Sequence, residues 1–101
     1  MKRIINGKMY NTETAKKLGN YTYGDSGDFY RVRETLYQKK NGEFFLCGEG
    51  GALSSYGECV GTNELTNGEE LTPFTEEEAK DWMEIHGSVD AYCEVFGEPE
   101  E

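Results

Sequence analysis

The stretch from residue 28 to residue 47 constrains the fold most, because it combines a dense run of apolar and aromatic side chains with a turn signal. Two segments rich in β-branched and aromatic residues flank a polar section that ends in Asn41-Gly42. Asn-Gly favours a hairpin, because both residues tolerate positive φ angles. We therefore expect a long central β-hairpin over 29–47. Its apolar cluster comprises Phe29, Tyr30, Val32, Leu36, Tyr37, Phe44, Phe45 and Leu46.

The length and the aromatic content predict one folded domain. A chain of 101 residues supports a single modest core. Aromatic residues make up 13% of the chain, which is more than a disordered chain typically carries. We assign residues 1–97 to one domain and residues 98–101 to a frayed acidic tail.

The N-terminal part predicts a small hairpin followed by a short helix. Asn6-Gly7 separates two short apolar segments, which is the pattern of a two-residue hairpin turn. Residues 12–18 follow, with Asn11 or Thr12 as a possible N-cap and Gly19 in a suitable position to end a helix. The apolar face of this segment is thin, so we expect the helix to depend on packing against the sheet.

The C-terminal part predicts an edge strand and a helical hairpin. Pro73 favours either an edge position or a strand end for the strand over 69–74. Thr75 and Glu78 form a capping box before a helix over 75–86, and Ser88 is placed to cap a second helix over 88–96. The fold class is therefore α+β, with an antiparallel sheet of four to five strands, a short N-terminal helix and a C-terminal helical hairpin. The predicted core places Trp82, Met83, Tyr92 and Phe96 against Leu36 and Phe45.

Charge is unevenly distributed along the chain. The net charge is −10, with +5 in residues 1–40 and −15 in residues 41–101. An acidic surface repels nucleic-acid backbones and anionic membranes, and it attracts basic clefts. We therefore expect a basic protein partner, with no direct nucleic-acid contact and no membrane contact. Solubility alone is the simpler explanation of the same charge.

No catalytic or cofactor site is predicted. The glycine-rich segment 48–51 lacks the Lys-Ser/Thr of a phosphate loop, so it indicates a turn. A single histidine, His86, and three cysteines without a CxxC pair predict neither a metal site nor a disulfide framework. A cysteine nucleophile with His86 as its base is the rival hypothesis. We expect a non-enzymatic cytoplasmic protein without cofactors, because the start of the sequence has no apolar signal segment and free thiols suit a reducing compartment.

The acidic residues of the first C-terminal helix permit two interpretations. The simpler interpretation is a solvated helix face, and the functional one is an acidic strip that imitates a phosphate backbone. A calcium loop is not predicted, because no Asp-x-Asp-x-Asp-Gly pattern is present. The basic residues of the central hairpin are expected to pair with nearby carboxylates or to form a solvated hairpin tip. They are Arg31, Arg33, Lys39 and Lys40.

Three segments together resemble a known class of proteins. They are IINGKMYNTETA over residues 4–15, ETLYQKKNGEFFL over 34–46 with GEGGA over 48–52, and the segment that begins with LTPFTEEEA at residue 71 and continues to Gly97. This pattern is similar to small acidic proteins carried by phages and mobile elements of Firmicutes. Some of them look like type II-A anti-CRISPR proteins. The resemblance implies a protein that binds and inhibits the RNA-guided DNA nuclease of type II CRISPR systems, whose long basic channels hold guide and target strands.

We predict that the acidic residues around the last strand and the first C-terminal helix contact the partner, with two tyrosines as anchors. These residues are Glu69, Glu70, Glu76, Glu77, Asp81, Glu84, Tyr21 and Tyr23. The alternative hypothesis is an inhibitor or regulator of another basic host protein, such as a restriction enzyme, a repressor or a polymerase subunit. A third is a non-inhibitory accessory protein of a mobile element. The sequence leaves the inhibited step and the oligomeric state open.

Overall fold

In the computed structural model, which describes residues 1–62 and 64–100, eight strands precede two helices along the chain. This order confirms the α+β class. The strands are β1 (Lys2–Ile5), β2 (Lys8–Asn11), β3 (Lys16–Tyr23), β4 (Val32–Gln38), β5 (Phe44–Gly50), β6 (Glu58–Gly61), β7 (Glu64–Thr66) and β8 (Gly68–Phe74). The helices are α1 (Glu76–His86) and α2 (Val89–Phe96).

The central sheet has four antiparallel strands in the order β3-β4-β5-β8. The predicted central hairpin is confirmed as its middle pair, with Leu36 opposite Leu46. The turn closes through the N–H of Lys39, which lies 2.7 Å from the carbonyl oxygen of Glu43. The predicted edge strand around Pro73 is confirmed as β8. Two further hairpins, β1-β2 and β6-β7, form separate two-stranded sheets.

The predicted helix over residues 12–18 is wrong. Residues 12–15 form a turn, and β3 begins at Lys16. Asn11 behaves partly as expected, since its side chain accepts a hydrogen bond from the N–H of Glu13 at 3.0 Å. From Lys16 onward the chain pairs with β4, with a register irregularity between Lys17 and Gly19. A seven-residue helix with a thin apolar face is marginal, and strand pairing satisfies more backbone groups.

The two helices cover one side of the central sheet, which we call the helix side. Both predicted caps are confirmed: the N–H of Glu78 donates to Thr75 Oγ1 at 3.1 Å, and the N–H of Ala91 donates to Ser88 Oγ at 3.1 Å. The buried cluster on this side consists of Leu36, Phe44, Leu46, Ala79, Trp82 and Met83. Tyr92 and Phe96 pack against it half-buried. The predicted packing of the helices on Leu36 is therefore confirmed.

The β1-β2 hairpin contributes Tyr10 to the opposite side of the central sheet, which we call the hairpin side. Phe45 belongs to this side, so its predicted contact with the helices is wrong. It is fully buried with Tyr10 and Leu71, because consecutive strand residues face opposite sides and its neighbours Phe44 and Leu46 already face the helices. Its ring stacks on Tyr37 with centroids 5.1 Å apart.

Two further expectations change in the structure. Phe29 and Tyr30 lie in a turn before β4 and are exposed, because Asp25 and Asp28 start turns there. Strand β5 runs to Gly50, through residues expected to form a turn. Asn63, in the sequence between β6 and β7, lies outside the described residues. The single domain over 1–97 and the frayed tail over 98–101 stay predictions, and Glu101 lies outside the described residues.

Candidate partner-binding surface

Helix α1 turns a row of carboxylates toward solvent. Its apolar positions Ala79, Trp82 and Met83 are buried against the sheet, which orients the opposite face outward. The capping box and the three glutamates of the first turn stabilise the helix start, where the dipole favours negative charge. The exposed acidic residues of α1 are Glu76, Glu77, Glu78, Asp81 and Glu84.

The charge density of this row is similar to that of a nucleic-acid strand. The helix has 11 residues, which span about 16 Å at 1.5 Å per residue. Five carboxylates over that length give roughly one per 3 Å of axis, compared with one phosphate per about 3.4 Å of a DNA strand. Lys80 offsets one of these charges, and its ammonium lies 5.7 Å from the centroid of the Phe96 ring.

The carboxylates of α1 take no part in the ion pairs found between described residues. Those pairs are Lys8–Glu43 at 2.9 Å, Arg33–Glu49 at 3.2 Å and Lys39–Glu43 at 3.5 Å. The expected pairing of central-hairpin bases with carboxylates is thus confirmed for Arg33 and Lys39. The carboxylates of α1 therefore keep their charge available for a partner.

Glu43 shows how strongly the local pairing acts. Hydrogen bonds from Lys8 and Asn41 lower the pKa of Glu43 to about 2 from its ordinary value of 4.5. The same contact raises the pKa of Lys8. Lys39, the third partner, also places its ammonium 3.6 Å from the centroid of the Tyr10 ring. The negative charge of Glu43, in the turn between β4 and β5, is therefore neutralised internally, in contrast to the charges of α1.

Glu69 and Glu70 are exposed on β8 but face opposite sides of the sheet. Glu69 lies on the hairpin side, opposite Glu49 on β5. Glu70 lies on the helix side, opposite Gly48. The structure therefore separates these two predicted residues. Across the central sheet, β3 at one edge carries Lys16 and Lys17 without an acid, while β8 at the other carries two glutamates without a base.

The two predicted tyrosine anchors have different environments. Tyr21 is half-buried, and its ring lies 4.0 Å, centroid to centroid, from that of His86 at the end of α1. His86 in turn lies 5.3 Å from the Trp82 ring system. Tyr21 therefore serves to pack α1 onto β3. Tyr23, two residues further on at the end of β3, is exposed and remains accessible.

A polar network that sequence reasoning missed attaches α1 to the sheet. The carboxylate of Glu34 on β4 accepts a hydrogen bond from Trp82 Nε1 at 3.1 Å and a second one from the hydroxyl of Tyr56. Burial and the hydrogen bond with Glu34 raise the pKa of Tyr56. A side chain at Gly48 would collide with the Tyr56 ring. A glycine inside an apolar strand signals such a close approach, and it was the one indication available in the sequence.

The predicted reactive groups occupy separate settings. Cys47 and Cys93 are half-buried, whereas Cys59 is exposed. Burial raises the pKa of the Cys47 thiol, which lowers its thiolate fraction. Within residues 1–62 and 64–100, no group of three or more His, Cys, Asp or Glu side chains is arranged to hold a metal ion. Among the helices described, none is long and apolar enough to cross a membrane.

Comparisons with protein-family models, with curated proteins and with solved structures gave no match.

Proposed function

We propose that this protein is encoded by a phage or mobile element and inhibits the RNA-guided DNA nuclease of type II CRISPR systems by binding to it. The row of exposed carboxylates on α1, which we call its acidic face, occupies a basic channel that otherwise holds nucleic acid. The observation that carries the proposal is the exposed row of carboxylates on α1, which lacks internal ion pairs among the described residues.

Electrostatics supports this assignment in two ways. The row has nearly the axial charge density of a nucleic-acid strand, which suits a channel built to hold phosphates. The net charge of −10 steers the whole molecule toward a positive surface and accelerates encounter. Glu70 lies on the same side of the sheet as α1, whereas Glu69 lies on the other side.

The resemblance to type II-A anti-CRISPR proteins supports the choice of a nuclease over other basic partners. The resembling segments form the β1-β2 hairpin, the β4-β5 pair and the β8-α1-α2 unit. They therefore include the elements that build and present the acidic face. The first test is capture of partners from host lysate on the immobilised protein. Recovery of a restriction enzyme, a repressor or a polymerase subunit in place of the nuclease would favour the alternative hypothesis.

The second test uses purified components. The guide-loaded nuclease should bind the protein, and its cleavage of a matched DNA duplex should fall as the protein is added. Binding should weaken steeply as salt rises, because exposed charges are screened over about 8–10 Å near physiological ionic strength. Binding that does not change with salt would reject the acidic-mimic mechanism. Absence of binding would reject the assignment itself.

We also propose that inhibition is stoichiometric and non-enzymatic, in the cytoplasm of the host. A variant in which Cys47, Cys59, Cys93 and His86 are all replaced should therefore inhibit as well as the wild type, provided that its circular dichroism spectrum is unchanged. His86 packs between Tyr21 and Trp82, so asparagine is the replacement that best preserves its shape. Loss of inhibition in a folded variant would favour a thiol-dependent activity instead.

A further inference from the structure

Two loops at one end of the central sheet expose three large apolar side chains. Residues 24–31 join β3 to β4, and residues 51–57 follow β5 at the end where Val32 pairs with Gly50. We call their exposed side chains the apolar tip. They are Phe29, Tyr30 and Leu53, which are 64%, 59% and 46% exposed.

The main chain that carries the apolar tip is fixed by hydrogen bonds between the two loops. The N–H of Leu53 donates to the carbonyl oxygen of Phe29 at 2.9 Å, and the N–H of Gly51 donates to that of Arg31 at 2.9 Å. A side chain at Gly51 would collide with the carbonyl oxygen of Phe29, so the two loops are in close contact. The side chain of Asp28 further accepts from the N–H of Tyr30 at 2.8 Å.

This arrangement is typical of a preorganised contact surface. Exposed aromatic side chains on a fixed backbone lose little conformational entropy on binding, and aromatic anchors supply much of the energy of protein interfaces. The loop hydrogen bonds use main-chain atoms of Phe29 and Leu53, so truncation of the side chains should leave the loops intact. The same side chains on a flexible loop would lose more conformational entropy on binding and would be weaker anchors.

Charge decides which kind of partner fits the apolar tip. Asp25 and Asp28 lie in the same loop, and the guanidinium of half-buried Arg31 is held 3.5 Å from the carbonyl oxygen of Asp28. A second copy of this chain would bring two molecules of net charge −10 together. A basic protein with an apolar depression is attracted by the same charges.

We propose that the apolar tip is an anchoring contact for the basic partner, separate from the acidic face of α1. This inference rests on the proposed function, because it concerns the same nuclease. The two surfaces act on different rates. Exposed carboxylates govern mainly the association rate and its salt dependence, whereas buried aromatic anchors govern the dissociation rate.

The test compares a triple variant, Phe29→Ala with Tyr30→Ala and Leu53→Ala, against a matched control. The control carries Ile4→Ala, Met9→Ala and Val60→Ala, at apolar positions that are 70%, 52% and 60% exposed on other hairpins. Binding kinetics are measured on immobilised guide-loaded nuclease. The tip variant should dissociate about 10-fold faster or more, with its association rate changed less than about 2-fold. The control should match the wild type.

The outcomes separate this inference from the proposed function. If the wild type fails to bind the nuclease, both fail. If the wild type binds and the tip variant dissociates no faster than the control, the anchoring role alone is overturned. Sedimentation of the protein by itself completes the test. If the wild type is a dimer and the tip variant is a monomer, the apolar tip binds a second copy of the chain, which would contradict the proposal.

Discussion

The two sides of the central sheet are covered by different kinds of structure. On the helix side, α1 and α2 bury a cluster of six side chains, and the Glu34 carboxylate joins Trp82 to Tyr56. On the hairpin side, a two-stranded hairpin contributes Tyr10 to a smaller cluster of three. The charges differ as well. Glu43, in the turn between β4 and β5, forms two ion pairs, whereas the carboxylates of α1 are directed to solvent. The larger of the two cores therefore supports the surface on which we place the function.

The largest effect is expected from Trp82→Ala on the helix side. Trp82 is 6% exposed and contacts both the sheet and the Glu34 network. Its truncation should lower the free energy of unfolding by about 3–5 kcal/mol, a large share for a small domain. Chemical denaturation measures this, with Ile85→Ala as the control because that side chain is 74% exposed on the same helix. Equal stability of the two variants would contradict the packing described.

Tyr10→Ala tests the hairpin side. The Tyr10 ring is buried edge-on against Phe45, with centroids 5.5 Å apart, and lies beneath the Lys39 ammonium. The expected loss is about 3–4 kcal/mol, because a large buried aromatic is removed. Met9→Ala is the control on the same strand, since Met9 is exposed. If both variants melt at the wild-type temperature, the hairpin side contributes nothing to the cooperative unit.

Local signals predicted the helix side better than the hairpin side. The capping box at Thr75 and the spacing of Ala79, Trp82 and Met83 depend on residues a few positions apart, and they gave α1 correctly. The assignment of Phe45 failed because strand alternation gives two faces, and the local pattern does not say which face meets the helices. The helix predicted over residues 12–18 was wrong because the chain from Lys16 onward pairs with β4, a contact over long sequence distance.

The parts of the candidate site that depend on local sequence patterns could likewise be predicted. The acidic row on α1 follows from the helix itself. The opposite orientations of Glu69 and Glu70 follow from strand alternation once β8 is placed. The exposure of Phe29 and Tyr30 depends on turns that Asp25 and Asp28 initiate, a signal present in the sequence but outweighed by their aromatic character.

Tyr56→Phe tests the polar network of the helix side. The substitution removes the hydroxyl that donates to the Glu34 carboxylate, and hydrogen bonds to charged groups contribute about 1.5–3 kcal/mol. Because the folded state raises the pKa of Tyr56 above its ordinary value of 10.0, this stabilisation is present below pH 10 and is lost as pH rises through the higher folded pKa. Denaturation at pH 8 and pH 11 should therefore show a larger alkaline loss in the wild type. An identical loss in both proteins would contradict the network.

The smallest effect is expected at Glu43, in the turn between β4 and β5. Its pKa of about 2 lies below the ordinary value of 4.5, so its pairing stabilises the fold above about pH 4.5, and this contribution is lost as pH falls toward 2. The contribution is modest, because the Lys8 side chain is largely exposed and solvent screens the pair. Lys8→Gln should reduce the acid-induced drop in melting temperature between pH 5 and pH 2. A drop equal to that of the wild type would show that Lys8 does not hold this pKa down.

The proposed function requires the acidic face of α1 to contact a basic nuclease. A direct test reverses Glu76, Glu77, Asp81 and Glu84 to lysine and spares Glu78, which closes the capping box. The matched control reverses four exposed acids outside α1, so that both variants have the same net charge. These are Glu13, Glu58, Glu64 and Glu98.

Both variants should retain the wild-type circular dichroism spectrum, since all eight positions are exposed and Glu78 keeps the capping box. The α1 variant should be somewhat less stable than the control, because the positive charges introduced at positions 76 and 77 oppose the helix dipole. The decisive measurement is the dissociation constant of each variant for the guide-loaded nuclease near 0.15 M salt. We predict that the α1 variant binds at least about 10-fold more weakly than the control, a difference of about 1.4 kcal/mol in binding free energy. Equal affinities of the two variants would show that net charge alone drives binding, and would contradict a specific role for α1.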